Sequence, residues 1–416
     1  MKTFFRCICC FLCAVAAFPL AGAEHIDILR GNEGNKVHCG FVFGNRYGTV
    51  GFLNPSTSAS RIYPDDFKVI PRKNMQGNKA AEEHEARVRL FFRPDVRLRT
   101  VGRRPMVMHG EKNWTLGKLK NGVRYSRTFV RGGSRGEVSI AVTMPEERAE
   151  MFVEYTVKNT GNATFTANSV LGTSFLRNGL MPLDFFVQRE MVRYINGKRT
   201  AFRGNEYTVL DSKVQSYWWR RLIKEPGVFQ NYYNRERIPF DHKLMIKPEI
   251  FGFTKLAGNN VLIWDMEKDC GVNRLDISWE NEVAAAFPEW IHRVEPGKEY
   301  KVKFRLMMFK DLRRVDLIGK NWIFGFYANA ELLTVQVIAL QSVPGTQLTV
   351  TVNDENNQTL VNQHSEMPSI TPFMPGHIVM RAASAFRYSS VYPIKLVMSQ
   401  LEDNAQILEI TENIVP

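Results

Sequence analysis

Residues Glu150–Leu176 read EMFVEYTVKNTGNATFTANSVLGTSFL. Phe152, Glu154, Thr156 and Lys158 fall in one phase of this run, and Val153, Tyr155 and Val157 in the other. That period of two sorts them onto the two faces of a β-strand. Asn159 to Asn162 supplies a turn, and a second strand-like run follows it.

The same pattern continues on both sides. Upstream lies LGKLKNGVRYSRTFV, whose Asn121-Gly122 pair is a hairpin signal, and then EVSIAVTMPEE. Ala80–Thr100 is mixed: AAEEHEARVRL suits a helix by propensity, whereas RVRLFFRPDVRLRT alternates. A strand pair turning at Pro94-Asp95 is expected there. From Glu24 to Ile70 short strands are broken by glycines, with Val37, Phe41, Phe43, Tyr47 and Val50 as core candidates. Downstream come IFGFTKLA, NVLIWDM and VNRLDISW. A Pro296-Gly297 turn then launches a strand that points Tyr300, Val302, Phe304 and Leu306 inward. A boundary is expected within Lys310–Asn329. Beyond it, short alternating strands with turns at Pro344-Gly345, Asn353–Asn357 and Pro375-Gly376 suggest a small sandwich. The fold class is therefore all-β: a large β-sandwich over residues 24–310, then a small immunoglobulin-like β-sandwich over 330–416.

One stretch breaks the monotony. Residues 211–249, DSKVQSYWWRRLIKEPGVFQNYYNRERIPFDHKLMIKPE, interleave aromatic with basic side chains. Ser212 and Gln215 have capping-box spacing, and Val214, Tyr217, Trp218 and Leu222 recur at helical intervals until Pro226-Gly227. A short helical insertion over Lys213–Lys224 is expected, with Trp219 and Arg220 off its buried stripe.

The amino terminus, MKTFFRCICCFLCAVAAFPLAGA, has a positive start, an apolar run too short for a span, and a small-residue Ala21-Gly22-Ala23 site. It reads as a signal peptide over residues 1–23, which makes the protein exported, to the periplasm or beyond the cell. No later segment is apolar enough to span a bilayer. Four of the six cysteines lie in the signal, leaving Cys39 and Cys270 either to form one disulfide or to stay as separate thiols. The net charge of +13 favours an anionic partner such as an acidic glycan or a membrane surface, or is simply a soluble basic surface. Export argues against nucleic acid.

Aromatic faces stack on sugar rings, and arginine forks bind carboxylate or sulfate. Trp219, Arg220, Arg221, Tyr232 and Arg235 are the ligand-binding candidates; core packing of the aromatics with outward-reaching arginines is the alternative. Glu236, Asp241, His242 and Glu249 are the titratable set of this stretch; Asp241 and His242 are adjacent and face opposite ways on an extended chain, and His242 is either catalytic or a hydrogen-bonded structural residue. Trp290 and His292 share a strand face opposite Glu289, and either line a pocket rim or pack as core. No metal motif, phosphate loop or nucleophile elbow is present, so no cofactor is expected. The acids and amides of VNDENNQT suit a hairpin turn that needs no ion.

In order along the chain, YSRTFV, FVEYTVKNTGNATFTANSVLGTSF and EWIHRVEPGKEYKVKFRLMMF resemble the β-supersandwich of the galactose mutarotase-like superfamily. The likeness covers about residues 25–310 and rests on the Asn159-Thr160-Gly161 turn and the Pro296-Gly297…Tyr300 turn. It implies a concave sheet that faces sugar. The superfamily holds aldose epimerases, domains of glycoside hydrolases and polysaccharide lyases, and members without known catalysis. Its epimerases use two histidines and a late glutamate. The histidine pair has no match here, although His109, His242 and His292 lie near strand edges, and Glu280 or Glu282 takes the glutamate's place in the order. An enzyme on this scaffold would need His242 or His292 to converge with a carboxylate such as Glu282 in one pocket. Three functions stay open: a carbohydrate-associated protein without catalysis, a carbohydrate-active enzyme on the same scaffold, or a structural envelope protein.

Overall fold

The computed structural model describes residues 27–33, 36–45, 47–53, 88–99, 106–107, 115–131, 134–176, 183–195, 198–210, 217–221, 228–231, 237–239, 249–256, 259–267, 270, 272–280, 283–387 and 390–415. Residues 1–23, where a signal peptide is expected, and His109, Tyr232, Arg235, His242 and Glu282 lie outside them.

Strands account for the fold. The first ten are β1 (Asp27–Glu33), β2 (Lys36–Gly44), β3 (Gly48–Leu53), β4 (Val88–Arg99), β5 (Met106–Val107), β6 (Thr115–Leu119), β7 (Gly122–Arg131), β8 (Ser134–Thr143), β9 (Glu150–Asn159) and β10 (Phe165–Leu176). Next come β11 (Leu183–Ile195), β12 (Lys198–Leu210), β13 (Tyr217–Arg221), β14 (Val228–Asn231), β15 (Arg237–Pro239), β16 (Ile250–Thr254), β17 (Asn260–Met266), β18 (Arg274–Glu280), β19 (Val283–Val294) and β20 (Glu299–Lys310). The last eight are β21 (Leu317–Ile318), β22 (Trp322–Asn329), β23 (Leu332–Ala339), β24 (Thr346–Asn353), β25 (Thr359–Met367), β26 (Gly376–Arg381), β27 (Tyr392–Gln400) and β28 (Gln406–Ile414).

Two large sheets face each other. One runs β1-β2-β3-β4-β10-β19-β18-β13-β14-β15, with β5 beside β4; the other runs β12-β11-β16-β17-β20-β9-β8-β7-β6. Only β3 and β4 pair in parallel among the described strands. Between the sheets lies one core, which includes Val153, Tyr155, Val157, Trp264, Trp290 and Phe304. The apolar phase of β9 points into it, and Val302, Phe304 and Leu306 of β20 do the same, as their alternation predicts. Tyr47 and Val50 are buried as well.

Two local expectations fail. Pro94 is no turn: β4 runs through it, with Leu171 of β10 opposite. Pairing of β4 with β3 ends at Phe92, and pairing with β5 begins at Arg97. Proline falls in that gap, where its missing N–H breaks no ladder. The helical insertion is also absent, and no α-helix occurs among the described residues. Tyr217–Arg221 is strand β13, paired with β18 through Tyr217↔Trp279, Trp218↔Ser278 and Trp219↔Ile277. The open edge of β18 satisfies the backbone groups of this aromatic run, which suits a pleated surface better than a helix.

A smaller sandwich follows from the sheets β21-β22-β23-β26 and β25-β24-β27-β28, packed around Phe324, Val335, Val350 and Leu396. It docks on the outer face of the nine-stranded sheet. There Phe186, Ile250, Val261, Ile263, Met307 and Phe309 form a separate apolar core with Leu312, Val315, Ile323, Ile338 and Leu340. Strands β16 and β17 are therefore buried on both faces, which explains their near-continuous apolar sequence.

Polar groups fix the angle of docking. Tyr207 Oη accepts from the Val315 N–H at 2.6 Å, and Asn205 Nδ2 donates to the Val315 carbonyl at 2.5 Å. Arg305 donates to Asp265 at 2.6 Å and to the Lys320 carbonyl at 2.8 Å. Glu150, almost fully buried, is held by both Arg148 and Arg305. A buried carboxylate needs such partners.

Candidate functional site

The described parts of the aromatic–basic stretch form a three-stranded meander, β13-β14-β15, at the edge of the eleven-stranded sheet. Its register decides which residues become neighbours. Arg220 stands opposite Gln230, which stands opposite Arg237. Arg221, Phe229 and Ile238 form the next row. Trp219 lies between Asn231 and Ile277. Strands are spaced by about 4.8 Å, so Arg220 and Arg237 stand about 10 Å apart in one row. Sequence distance hid this juxtaposition, which no helix over Lys213–Lys224 would create.

The second candidate group sits where β19 and β20 leave the sandwich. Trp290 is not a rim residue. It is fully buried, stacks between Tyr155 and Phe304 at centroid distances of 6.2 and 6.4 Å, and donates from Nε1 to the Cys270 carbonyl at 3.1 Å. It offers no face to a ligand, because the phase it shares with His292 is the core phase of β19. His292 is half-buried, and its ring lies on Tyr300 with centroids 3.3 Å apart. Burial pushes the Tyr300 phenol well above its usual range, and the neighbouring Cys270 adds to the effect. Imidazole, phenol and thiol thus gather at one end of the core. Glu289 points the other way, as the alternation predicts.

Cys270 is a free thiol with Sγ 3.8 Å from the Lys301 carbonyl oxygen. Cys39 lies on β2 opposite Arg30. No group of three or more potential metal ligands occurs among the described residues. The acid-rich hairpin after β24 is an Asx turn: Asp354 Oδ1 accepts from the N–H groups of Asn356 and Gln358, each at 2.8 Å. No helix among the described residues is long and apolar enough to cross a membrane.

Sequence reasoning overlooked one side chain. Phe152 is 44% exposed on the outer face of β9. Its signal was present, since an aromatic occupies the phase of Glu154, Thr156 and Lys158.

No protein-family model matches the chain, and no curated protein matches it. Among solved structures it resembles galactose mutarotase-like proteins, weakly. A galactose mutarotase related enzyme from Lactobacillus acidophilus aligns at 9% identity and TM-score 0.33, over 53% of this chain and 80% of that one. A putative mutarotase from Salmonella typhimurium aligns at 9% identity and TM-score 0.35, over 72% and 100%. A polysaccharide lyase aligns at 9% identity and TM-score 0.27, over 77% of this chain and 39% of that one. Likenesses of this size transfer no residue role.

Proposed function

We propose that this is an exported protein that holds acidic carbohydrate on the β13-β14-β15 meander, without catalysis of its own. The observation that carries this reading is the cross-strand row Arg220–Gln230–Arg237. Two guanidinium residues at fixed spacing suit a chain with repeated carboxylate or sulfate groups, which arginine binds through paired hydrogen bonds. Trp219 and Arg221 alternate with Arg220 along β13 and so belong to the opposite phase, in which Trp219 stands in register with the core residue Ile277; the arginine row alone carries the proposed binding. The net charge of +13, or +11 once Lys2 and Arg6 leave with the signal, draws polyanions toward the surface, and the amino-terminal signal pattern supports export to where extracytoplasmic polysaccharide is found.

The test is binding of the protein from residue 24 onward to an array of uronate-rich, sulfated and neutral polymers at low and moderate salt. Retention on acidic polymers that weakens with salt is expected. An Arg220→Ala/Arg237→Ala variant should lose at least about tenfold in affinity, the scale of one charge-assisted hydrogen bond. Unchanged affinity in a folded variant removes the meander from the site. Retention of no glycan at all would favour a structural envelope role. Release of unsaturated uronate by the wild-type protein would move it to the enzymes.

A further inference from the structure

The outer face of the nine-stranded sheet is covered by the small sandwich only at one end. Across the rest, the outward residues of β9, β8, β7 and β6, and those of β20 as far as Arg305, are mostly exposed or half-buried among the described residues. The register builds rows on that surface. One runs Arg305–Phe152–Thr143, and the next Lys303–Glu154–Ala141–Arg124. A third consists of Lys301 and four hydroxyl residues, Thr156, Ser139, Ser126 and Thr115.

Phe152 stands out in this field. At 44% exposure its ring meets water, and its diagonal neighbour on β8 is the small Ala141. On its other side a wall rises. Arg305, directly opposite Phe152, is fixed to the Gly319 and Lys320 carbonyls at 3.3 and 2.8 Å, so the loop before β22 overhangs that edge. Asn321 belongs to the same loop and accepts from Arg148 at 3.1 Å. The corner between the two sandwiches thus holds one flat apolar ring, with the Thr143 hydroxyl residue on one side in its row, Arg305 on the other, and the paired Lys303 and Glu154 in the next row.

Charge on this face is largely cancelled in place. Arg305 faces Asp265 and Glu150, Lys301 lies 2.8 Å from Glu299, and Lys303 lies 3.7 Å from Glu154. A polyanion gains little here, in contrast to the arginine row of the meander. A protein partner would need a contiguous apolar patch of several hundred Å², whereas Phe152 is a single ring among polar groups. An uncharged pyranose fits both features: its C–H face stacks on an aromatic ring, and its hydroxyls exchange hydrogen bonds with the surround.

We propose that this corner, centred on Phe152, binds uncharged pyranose units of a polysaccharide. The site extends the carbohydrate reading of the meander but stands on different residues and a different ligand class. The test is native gel electrophoresis of the protein in gels containing hydroxyethyl cellulose, galactomannan or soluble starch, at low and high salt. Wild-type protein should be retarded by at least one of them, equally at both salts. Phe152→Ala should lose the retardation, at least about tenfold in apparent affinity, while still unfolding in a single cooperative transition, because only a half-exposed cross-strand contact is removed. Phe152→Trp should keep or strengthen it. The Arg220→Ala/Arg237→Ala variant should retain neutral binding while losing acidic binding, so each site can fail alone. Absence of retardation by all three polymers, wild-type retardation of Phe152→Ala, or loss of neutral binding in the arginine variant overturns the proposal.

Discussion

Asn159 shows what one side chain does at the end of β9. It is fully buried. Its Nδ2 donates to the Ala163 and Val294 carbonyls, both at 2.9 Å, and its Oδ1 accepts from the Gly161 N–H at 3.0 Å. It therefore closes its own turn and clamps it to the end of β19. Replacing it with alanine removes the donor from two carbonyls in a water-poor site, while the Gly161 N–H keeps its second acceptor, the Arg135 carbonyl at 3.1 Å. Asn159→Ala should lower unfolding free energy by about 2–4 kcal/mol, from two or three lost hydrogen bonds of about 1 kcal/mol each plus the exposed partners' desolvation. Urea denaturation measures it, and a loss below about 0.5 kcal/mol, the level of an ordinary surface change, would show the clamp to be idle. The turn itself was legible in Asn159-Thr160-Gly161. The bond to Val294 was not, because it joins residues 135 positions apart.

Strands show the same division. The inward phases of β9 and β20 were readable, as was the hairpin at Asn121, whose φ of 54° is the left-handed conformation asparagine tolerates. On the outward phase of β20, Glu299 and Lys301 form an exposed pair. Its hydrogen bond to Lys301 lowers the Glu299 pKa, and the same bond to Glu299 raises that of Lys301. Whatever the pair contributes is therefore fully present above the usual glutamate range and below the usual lysine range. It fades as pH falls through the lowered value or climbs through the raised one. Glu299→Gln should move the Lys301 titration down toward that of an ordinary lysine, with Glu154 still holding it up in part, read by NMR of its side chain; a Lys301 titration unmoved by the substitution would place the cause elsewhere. The YWWRR run failed as a sequence reading for an instructive reason. Four residues at helical spacing are a weak local signal, and a vacant sheet edge outweighs it.

At the level of the whole molecule, the two sandwiches share a core and a buried acid. Asp316 accepts from the Phe326 N–H at 2.7 Å and pairs with Arg314 at 3.0 Å. Burial pushes its pKa up, and the Arg314 charge only partly offsets that. A carboxyl with a raised folded pKa binds its proton more tightly in the native state than in the unfolded chain. Its contribution is thus complete below the ordinary aspartate value of about 4 and is lost as pH rises through the folded value. Asp316→Asn keeps an acceptor for Phe326 and cannot ionise. The wild-type urea midpoint should fall more steeply than that of the variant as pH rises from about 4. Parallel curves would mean that Asp316 does not couple docking to pH.

By itself the sequence determined that this chain is all-β, where most of its turns lie, and which phase of each well-patterned strand is apolar. These are local properties, carried by side-chain alternation and by residues that tolerate turn geometry. Only the tertiary structure decided that YWWRR is a strand, that Arg220 and Arg237 share a row, that Trp290 is core, and that Phe152 stands in a corner between two sandwiches. Each of those depends on which strand edge is vacant and which sheet face is covered, and long-range pairing sets both.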